Sequence, residues 1–452
     1  MAQDPFRQLA VIGDAVERGK LVQDCYRLFY KEALWIEAFK NITGKTPDEY
    51  DLQLISRLII RFRNGTFRFG KYHKRKKEDG SIEEQLVLEM ILFILNTVFA
   101  PLFFKLQMNR PLPEVLKTVK NEFSHVTWCI KGIIKNWSPE SSRTRLMKTF
   151  SKKFADRRFL LLLDGLLKSG LLIKKEGSFF YRKKQFRQLQ SLFFNIFFHD
   201  CDHIFQDLQN DRYKEVCLGD HTNKKFVAKI LSLTDRKELV YIRYGREFLI
   251  GLQGKKSDAR AFKEALKNWL LVQFQLENSQ VDLFLTDLKR PVIFSGYAIR
   301  HHPMAKSSRG KIVRLEIPKQ YLIDFARKKG YGVLDYFQAK ERGMLIHRSE
   351  REIIDIYNRE LFAIARYYRY ADNFHVITPL YYLAKKSMLK TIAQKRSMSI
   401  KKLIKKLMVV RNQTLYLQQL NREGHPELFP FVSLTSLKKL KKNFSKNIDT
   451  LF

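Results

Sequence analysis

Four cysteines are all that this 452-residue chain carries, Cys25, Cys129, Cys201 and Cys217, and no two stand within four residues of each other. Zinc fingers and ribbons need ligand pairs two to four residues apart, so neither can be built here. So few thiols also argue against a disulfide framework and point to a reducing compartment. No internal repeat is visible. Residues 1–20 hold Asp4, Asp14 and Glu17 among short apolar runs. That fits neither a secretory signal nor an acid-poor, Arg-rich transit peptide, so a protein working in an organelle would be expected to be made there. The longest apolar stretch, 86–106, is broken by Glu89, Asn96 and Pro101. It is expected as a buried helix and not as a membrane span, so no membrane partner is expected.

Acidic residues are the conspicuous shortage: 46 Asp plus Glu face 84 Lys plus Arg, a formal net charge of +38. Self-repulsion on that scale is relieved by a large polyanion, and nucleic acid fits best because phosphates accept lysine and arginine with release of counterions. Disorder is excluded by composition, since 45% hydrophobic and 13% aromatic residues are enough to bury sizeable cores. The length suggests two to four domains.

Apolar periodicity predicts helix over the first 45 residues and over 52–62, 83–98, 156–170 and 192–209, with Pro101 helping to end the long apolar helix. Residues 67–77 read as a basic strand entering a turn at Asp79-Gly80. Strands are expected at 128–134, 239–242 and 248–252, and 292–299 is a further apolar run. From about Arg309 the texture becomes mostly helical and heavily basic. Ser349 and Glu352 form a capping box, and Thr378-Pro379 reads as a helix start. Ile400, Leu403, Ile404 and Leu407 share one helix face, leaving Lys401, Lys402, Lys405 and Lys406 opposite. Between Lys385 and Arg411 there are ten basic residues and no acid. A solvated face interleaves both signs, so this run points to phosphate contact.

The stretch 353–407 carries Ile353-Ile354, Tyr357-Asn358, Ala365-Arg366-Tyr367-Tyr368, Asn373, Leu380-Tyr381-Tyr382, Ser387, Lys390-Thr391-Ile392-Ala393, Lys395, Ser399 and Lys405-Lys406. In order and spacing it resembles domain X, the thumb of group II intron-encoded maturases. Fainter matches precede it, among them Tyr26-Arg27-Leu28-Phe29-Tyr30, Trp128-Cys129-Ile130-Lys131-Gly132, Asn195-Ile196-Phe197-Phe198-His199, Tyr244-Gly245-Arg246-Glu247 and Phe294-Ser295-Gly296-Tyr297. The resemblance implies an α+β chain. Residues 1–110 would be an N-terminal extension with fingers, 111–305 a degenerate reverse-transcriptase palm, 306–411 an all-α thumb, and 412–452 a tail.

Departures from the family pattern shape the functional expectation. Polymerases clamp two divalent cations with aspartates from adjoining strands. The corresponding slots here hold Ile133, Arg246 and Glu247: an isoleucine binds no metal, an arginine repels one, and a single glutamate cannot hold two. The lysine expected after Ser279 is replaced by Asp282. The family's C-terminal nuclease region has no counterpart after Arg411. The pattern is similar to that of degenerate maturase-like proteins of euglenoid plastids. It implies a non-enzymatic, chloroplast-located RNA-binding protein that assists splicing of group II and group III introns. No catalytic residue, metal or other cofactor is expected, intron RNA is the partner, and a homodimer is allowed. A residual RNA-directed DNA polymerase and a general RNA chaperone or ribonucleoprotein component remain the alternatives.

The expected RNA contacts are Lys74, Arg75, Lys76 and Lys77 at a finger tip, then Arg366, Tyr367, Asn373, Lys386, Lys390, Lys395, Arg396, Lys401, Lys402, Lys405 and Lys406. Tyr368 falls on the apolar stripe and reads as core. Asp200 and Asp202, with His199 and His203, point to different faces of a helix and read as structural. His301-His302 reads as a loop.

Overall fold

The computed structural model describes residues 5–70, 81–105, 110–172, 184–209, 221–233, 239–307, 310–420 and 425–442. Lys74, Arg75, Lys76, Lys77, the Asp79-Gly80 turn and Cys217 lie outside them. The chain mixes helix and sheet and divides into two compact units, one of residues 1–111 with 130–285, the other of 112–129 with 286–452.

The first unit opens with α1 (Pro5–Glu17), a 3-10 turn at Cys25–Tyr30, α2 (Glu32–Thr43) and α3 (Glu49–Arg63). The predicted continuous helix is therefore broken around Gly19 (φ 70°) and Asp24 (φ 57°), both in the left-handed region. Phe29, Phe62 and Phe67 stack at 4.5 and 4.6 Å between centroids, so Phe67 belongs to a core. Residues 67–70 form no strand. The long apolar helix α4 (Ile82–Lys105) runs through Pro101 instead of stopping there. It is the one described helix long and apolar enough to cross a membrane, and 67% of that stretch is buried within the protein.

The strands β1 (Trp128–Ile134), β2 (Val240–Tyr244), β3 (Glu247–Leu252) and β4 (Val281–Asp287) form a sheet ordered β2-β3-β1-β4. Around it lie α6 (Arg143–Ser151), α7 (Arg157–Lys168), α8 (Lys184–Gln209), α9 (His221–Leu233) and α10 (Lys256–Phe274), α5 (Leu112–Glu122) belonging to the second unit. Gly132 of β1 has no room for a side chain: a Cβ there would sit 1.9 Å from the ring of Phe248. The glycine is what lets β3 lay an aromatic ring on β1.

In the second unit β5 (Val292–Phe294), β6 (Tyr297–Ser307) and β7 (Gly310–Glu316) form a three-stranded antiparallel sheet. The predicted run 292–299 is split by a tight turn with Ser295 and Gly296 at φ 43° and 75°. His301 lies in β6 and not in a loop: it is buried, its Nε2 donating to the Phe123 carbonyl at 3.0 Å. Next come α11 (Lys319–Lys329), a short hairpin of β8 (Gly332–Val333) and β9 (Gln338–Ala339), α12 (Glu350–Tyr367), α13 (Ile377–Lys395) and α14 (Ile400–Leu407). The sheet of β10 (Met408–Arg411), β11 (Thr414–Leu420) and β12 (Pro426–Phe431) and the short α15 (Leu434–Lys438) complete it.

The stretch 306–411 is thus not all-helical. The alternation of buried Val313 and Leu315 with Ile312 and Arg314 is a strand period that the basic composition obscures. The segment expected as a tail pairs as strands, Leu415 opposite Phe431 and Leu417 opposite Phe429. Ser349 caps α12 with Glu352 as predicted. Helix α13 begins at Ile377, two residues before Pro379, which stays within the first turn where backbone N–H groups have no intrahelical acceptor to lose.

Candidate nucleic-acid interface

In the first unit's sheet, the positions expected to correspond to the family's catalytic slots are Ile133 on β1 and Arg246 and Glu247 at the β2–β3 turn. The β2–β3 turn contains Gly245 (φ 59°) and Arg246. The Arg246 guanidinium lies 5.6 Å from the ring centroids of both Trp137 and Phe194. Glu247 opens β3 with its carboxylate 3.7 Å from Lys131 Nζ. Ile133, two residues on from Lys131, shares its face of β1. Asp282 on β4 forms an ion pair with Lys135. Each of these two carboxylates therefore faces a lysine, whereas a divalent-ion site needs carboxylates facing one another.

Beneath the turn, Asp202 of α8 receives Arg243 Nε at 2.8 and 3.0 Å and the Tyr241 hydroxyl at 2.6 Å. Arg243 also donates to Asn195 Oδ1 at 3.1 Å and to the Gly245 carbonyl at 2.7 Å. The buried pair thereby fixes the hairpin that bears Arg246 and Glu247. Asp200 turns instead to Arg145 at 2.6 Å, and His203 to Asp207 at 2.6 Å. Neighbours in sequence diverge onto separate partners.

On the second unit, α14 is capped by Ser399 and buries only Leu403 completely. Ile404, expected on the covered face, is 41% exposed. Lys401, Lys402, Lys405 and Lys406 are all exposed, as is Lys386 on α13, with Lys390 half-buried on that helix. Two of the first unit's surfaces are also basic. A cleft of about 1200 Å³ is lined by Arg7, Lys20, Arg27, Lys31 and Arg63, with Asp24 pairing Arg27, and a smaller one of about 430 Å³ by Arg63, Arg68, Arg158 and Lys168, with Asp164 pairing Lys168.

Residues 311–451 match the family model described as type II intron maturase. In this stretch the chain is similar to that family. Over 431 residues the chain is 27% identical to the group II intron-encoded protein LtrA of Lactococcus lactis subsp. cremoris, covering 81% of this chain and 72% of that one. It is 23% identical over 445 residues to the putative COX1/OXI3 intron 1 protein of Saccharomyces cerevisiae. It is 21% identical over 429 residues to the uncharacterized 91 kDa protein in cob intron of Schizosaccharomyces pombe. The chain spans about half the length of these two fungal relatives, 52% of each.

Many of the residues that carry the maturase resemblance are interior. The Tyr357 hydroxyl meets Ser387 Oγ at 2.8 Å, and Ser387 donates to the Lys340 carbonyl at 2.6 Å. Asn358 holds β12 and the residue after it, donating to Pro430 and accepting from Val432 N at 2.9 and 2.8 Å. Of the expected RNA contacts, Asn373, Lys395, Arg396 and the Tyr367 hydroxyl have partners within the protein. Asn373 accepts from Ile317 N at 2.7 Å and donates to the Ile317 carbonyl at 3.3 Å. Lys395 Nζ donates to the Ile346 carbonyl at 3.0 Å. Arg396 pairs with the buried Glu350 at 2.6 Å.

Tyr367 is 45% exposed, yet its hydroxyl donates to the Ser295 carbonyl at 2.7 Å, while buried Tyr368 reaches the Gly296 carbonyl at 3.1 Å. With Tyr297, whose hydroxyl meets the Tyr367 carbonyl, they clasp the β5–β6 turn. Burial, then the neighbouring phenols, raises the pKa of Tyr297, so it stays a donor. Arg366 remains exposed beside the Phe362 ring. Sequence reasoning missed the two basic clefts, whose residues are scattered over 7–168, and the β8–β9 hairpin, whose Gly330, Gly332 and Asp335 are turn residues inside a stretch read as helix.

Proposed function

We propose that the protein binds folded group II intron RNA and assists its splicing, while the RNA itself supplies the chemical groups. One observation carries this reading: a maturase domain presents Lys386, Lys390, Lys401, Lys402, Lys405 and Lys406 in a stretch without a single carboxylate. Packing RNA helices together is opposed by phosphate repulsion, and a one-signed cationic surface lowers that cost by displacing counterions. RNA helices are recognised through shape and 2′-hydroxyls, so preference for intron RNA comes from matching a folded surface. The fingers-palm-thumb arrangement is part of the same reading, with the first unit's basic clefts as further phosphate contacts.

The reading also assigns no reverse-transcriptase activity. Lys131, Lys135 and Arg246 stand where cations would have to bind, and Glu247 and Asp282 are already paired. The test is primer extension with magnesium or manganese beside a splicing assay on a group II precursor. No cDNA with faster splicing is the expected pair of results. Template-dependent cDNA would overturn the non-enzymatic assignment, and equal affinity for an unrelated structured RNA of the same length would make the protein a general chaperone. Service to plastid introns of the group II and III kinds extends the proposal, and sequencing RNA that co-purifies with the protein from the organelle tests it.

A further inference from the structure

The β8–β9 hairpin of the second unit holds aromatic rings in water. Its two strands are pressed together at Gly332 (φ 117°), where a Cβ would lie 2.0 Å from the Gln338 carbonyl oxygen. Buried Leu334 starts the connecting turn, which Phe337 N closes on the Leu334 carbonyl at 3.1 Å. Asp335 is tied to Lys319 at 3.1 Å. The turn is thus anchored, yet Tyr336 at its apex is 85% exposed, the highest value among the large hydrophobic side chains described.

Phe337 is held at φ 51°, a conformation that disfavours bulky L-residues and that glycine or asparagine adopts readily. Phe337 is still 41% exposed. Lys386 Nζ lies 5.8 Å from the centre of its ring. One turn to either side of Lys386 on the same face of α13 stand Tyr382, 48% exposed, and Lys390.

We infer that this hairpin tip is a stacking site for unpaired RNA bases, Tyr336 and Phe337 offering their faces to bases while Lys386 and Lys390 take the adjoining phosphates. This rests on the RNA-binding reading above and deepens it. Duplex RNA keeps its base faces stacked inside, so the ligand is a loop, bulge or single strand. Aromatic platforms bordered by cations are how such strands are held, with little preference for base identity. A protein partner fits less well, because lysine is depleted at the cores of protein interfaces.

The test uses the full chain with two probes, an unstructured oligouridine RNA and a blunt RNA duplex with the same number of phosphates. Tyr336→Ala and Phe337→Gly are each expected to weaken oligouridine binding roughly tenfold, while Tyr336→Phe keeps it. Duplex binding and the slope of affinity against salt stay unchanged. Phe337→Gly removes the ring while placing at φ 51° a residue that adopts it readily, and a wild-type urea midpoint in each variant separates loss of the ring from loss of the fold. Lys386→Gln flattens the oligouridine salt slope by about 0.7. Wild-type oligouridine affinity in both ring-removing variants would overturn this inference and leave the RNA-binding reading standing. A wild-type chain that binds neither probe would sink both. Unchanged RNA affinity with lost self-association in sedimentation would make the tip a protein contact and reject the inference.

Discussion

Residue type alone does not tell a binding lysine from a structural one. Lys390, Lys395 and Arg396 follow one another along α13 and just past its end, yet Lys395 holds the Ile346 carbonyl and Arg396 the Glu350 carboxylate. Asn373 matches the family pattern because it clamps Ile317, so its match is a statement about fold. His301 shows the same principle with a readout in pH. Burial lowers its pKa, against the hydrogen bond to Phe123, and Nδ1 is buried without a partner. The folded chain therefore favours the neutral ring. This contribution is fully present above the ordinary imidazole pKa of about 6.5 and is lost as pH falls below it. The urea midpoint of the second unit should drop between about pH 7.5 and about pH 5, and His301→Gln, which retains a donor for Phe123, should flatten that drop. An unchanged dependence in the variant would show that other groups govern acid sensitivity.

At the scale of elements, helices with clean local signals were legible in the sequence: α3 and α7 stand where periodicity puts them, α8 starts eight residues earlier than its period suggested, and α12 opens at its capping box. The strands β1, β2 and β3 were equally plain from their short apolar runs. What escaped were elements whose signal tertiary context overrides. Pro101 stays inside α4 because packing against α2 and α8 holds the helix together, and β7 hid behind Lys311 and Arg314. The β2–β3 turn bearing Arg246 and Glu247 was readable, but the Asp202–Arg243 pair that supports it was not, since 41 residues separate its partners. Asp202→Ala should destabilise the first unit by about 3–5 kcal/mol, because it strands a buried guanidinium. Replacing both residues together with apolar side chains of similar volume should restore most of the loss. Urea unfolding checks both, and an unaltered midpoint in Asp202→Ala would remove the pair's assigned role.

For the molecule as a whole, a formal charge of +38 is the property that any functional account has to explain. The sequence pointed at once to a polyanionic partner, and the maturase resemblance narrowed that expectation to intron RNA. The scattered cations of the first unit's clefts and the aromatic hairpin needed the structure. The most direct measurement is the affinity for group II intron RNA across salt, from about 50 mM to about 500 mM, for the natural chain and for Lys401→Gln, Lys402→Gln, Lys405→Gln and Lys406→Gln combined. The natural chain should lose affinity steeply on a log–log plot, and the fourfold variant should bind more weakly with a slope shallower by roughly 3 to 4. A flat salt response, or a variant indistinguishable from the natural chain, would contradict a protein whose contribution to splicing is its cationic surface.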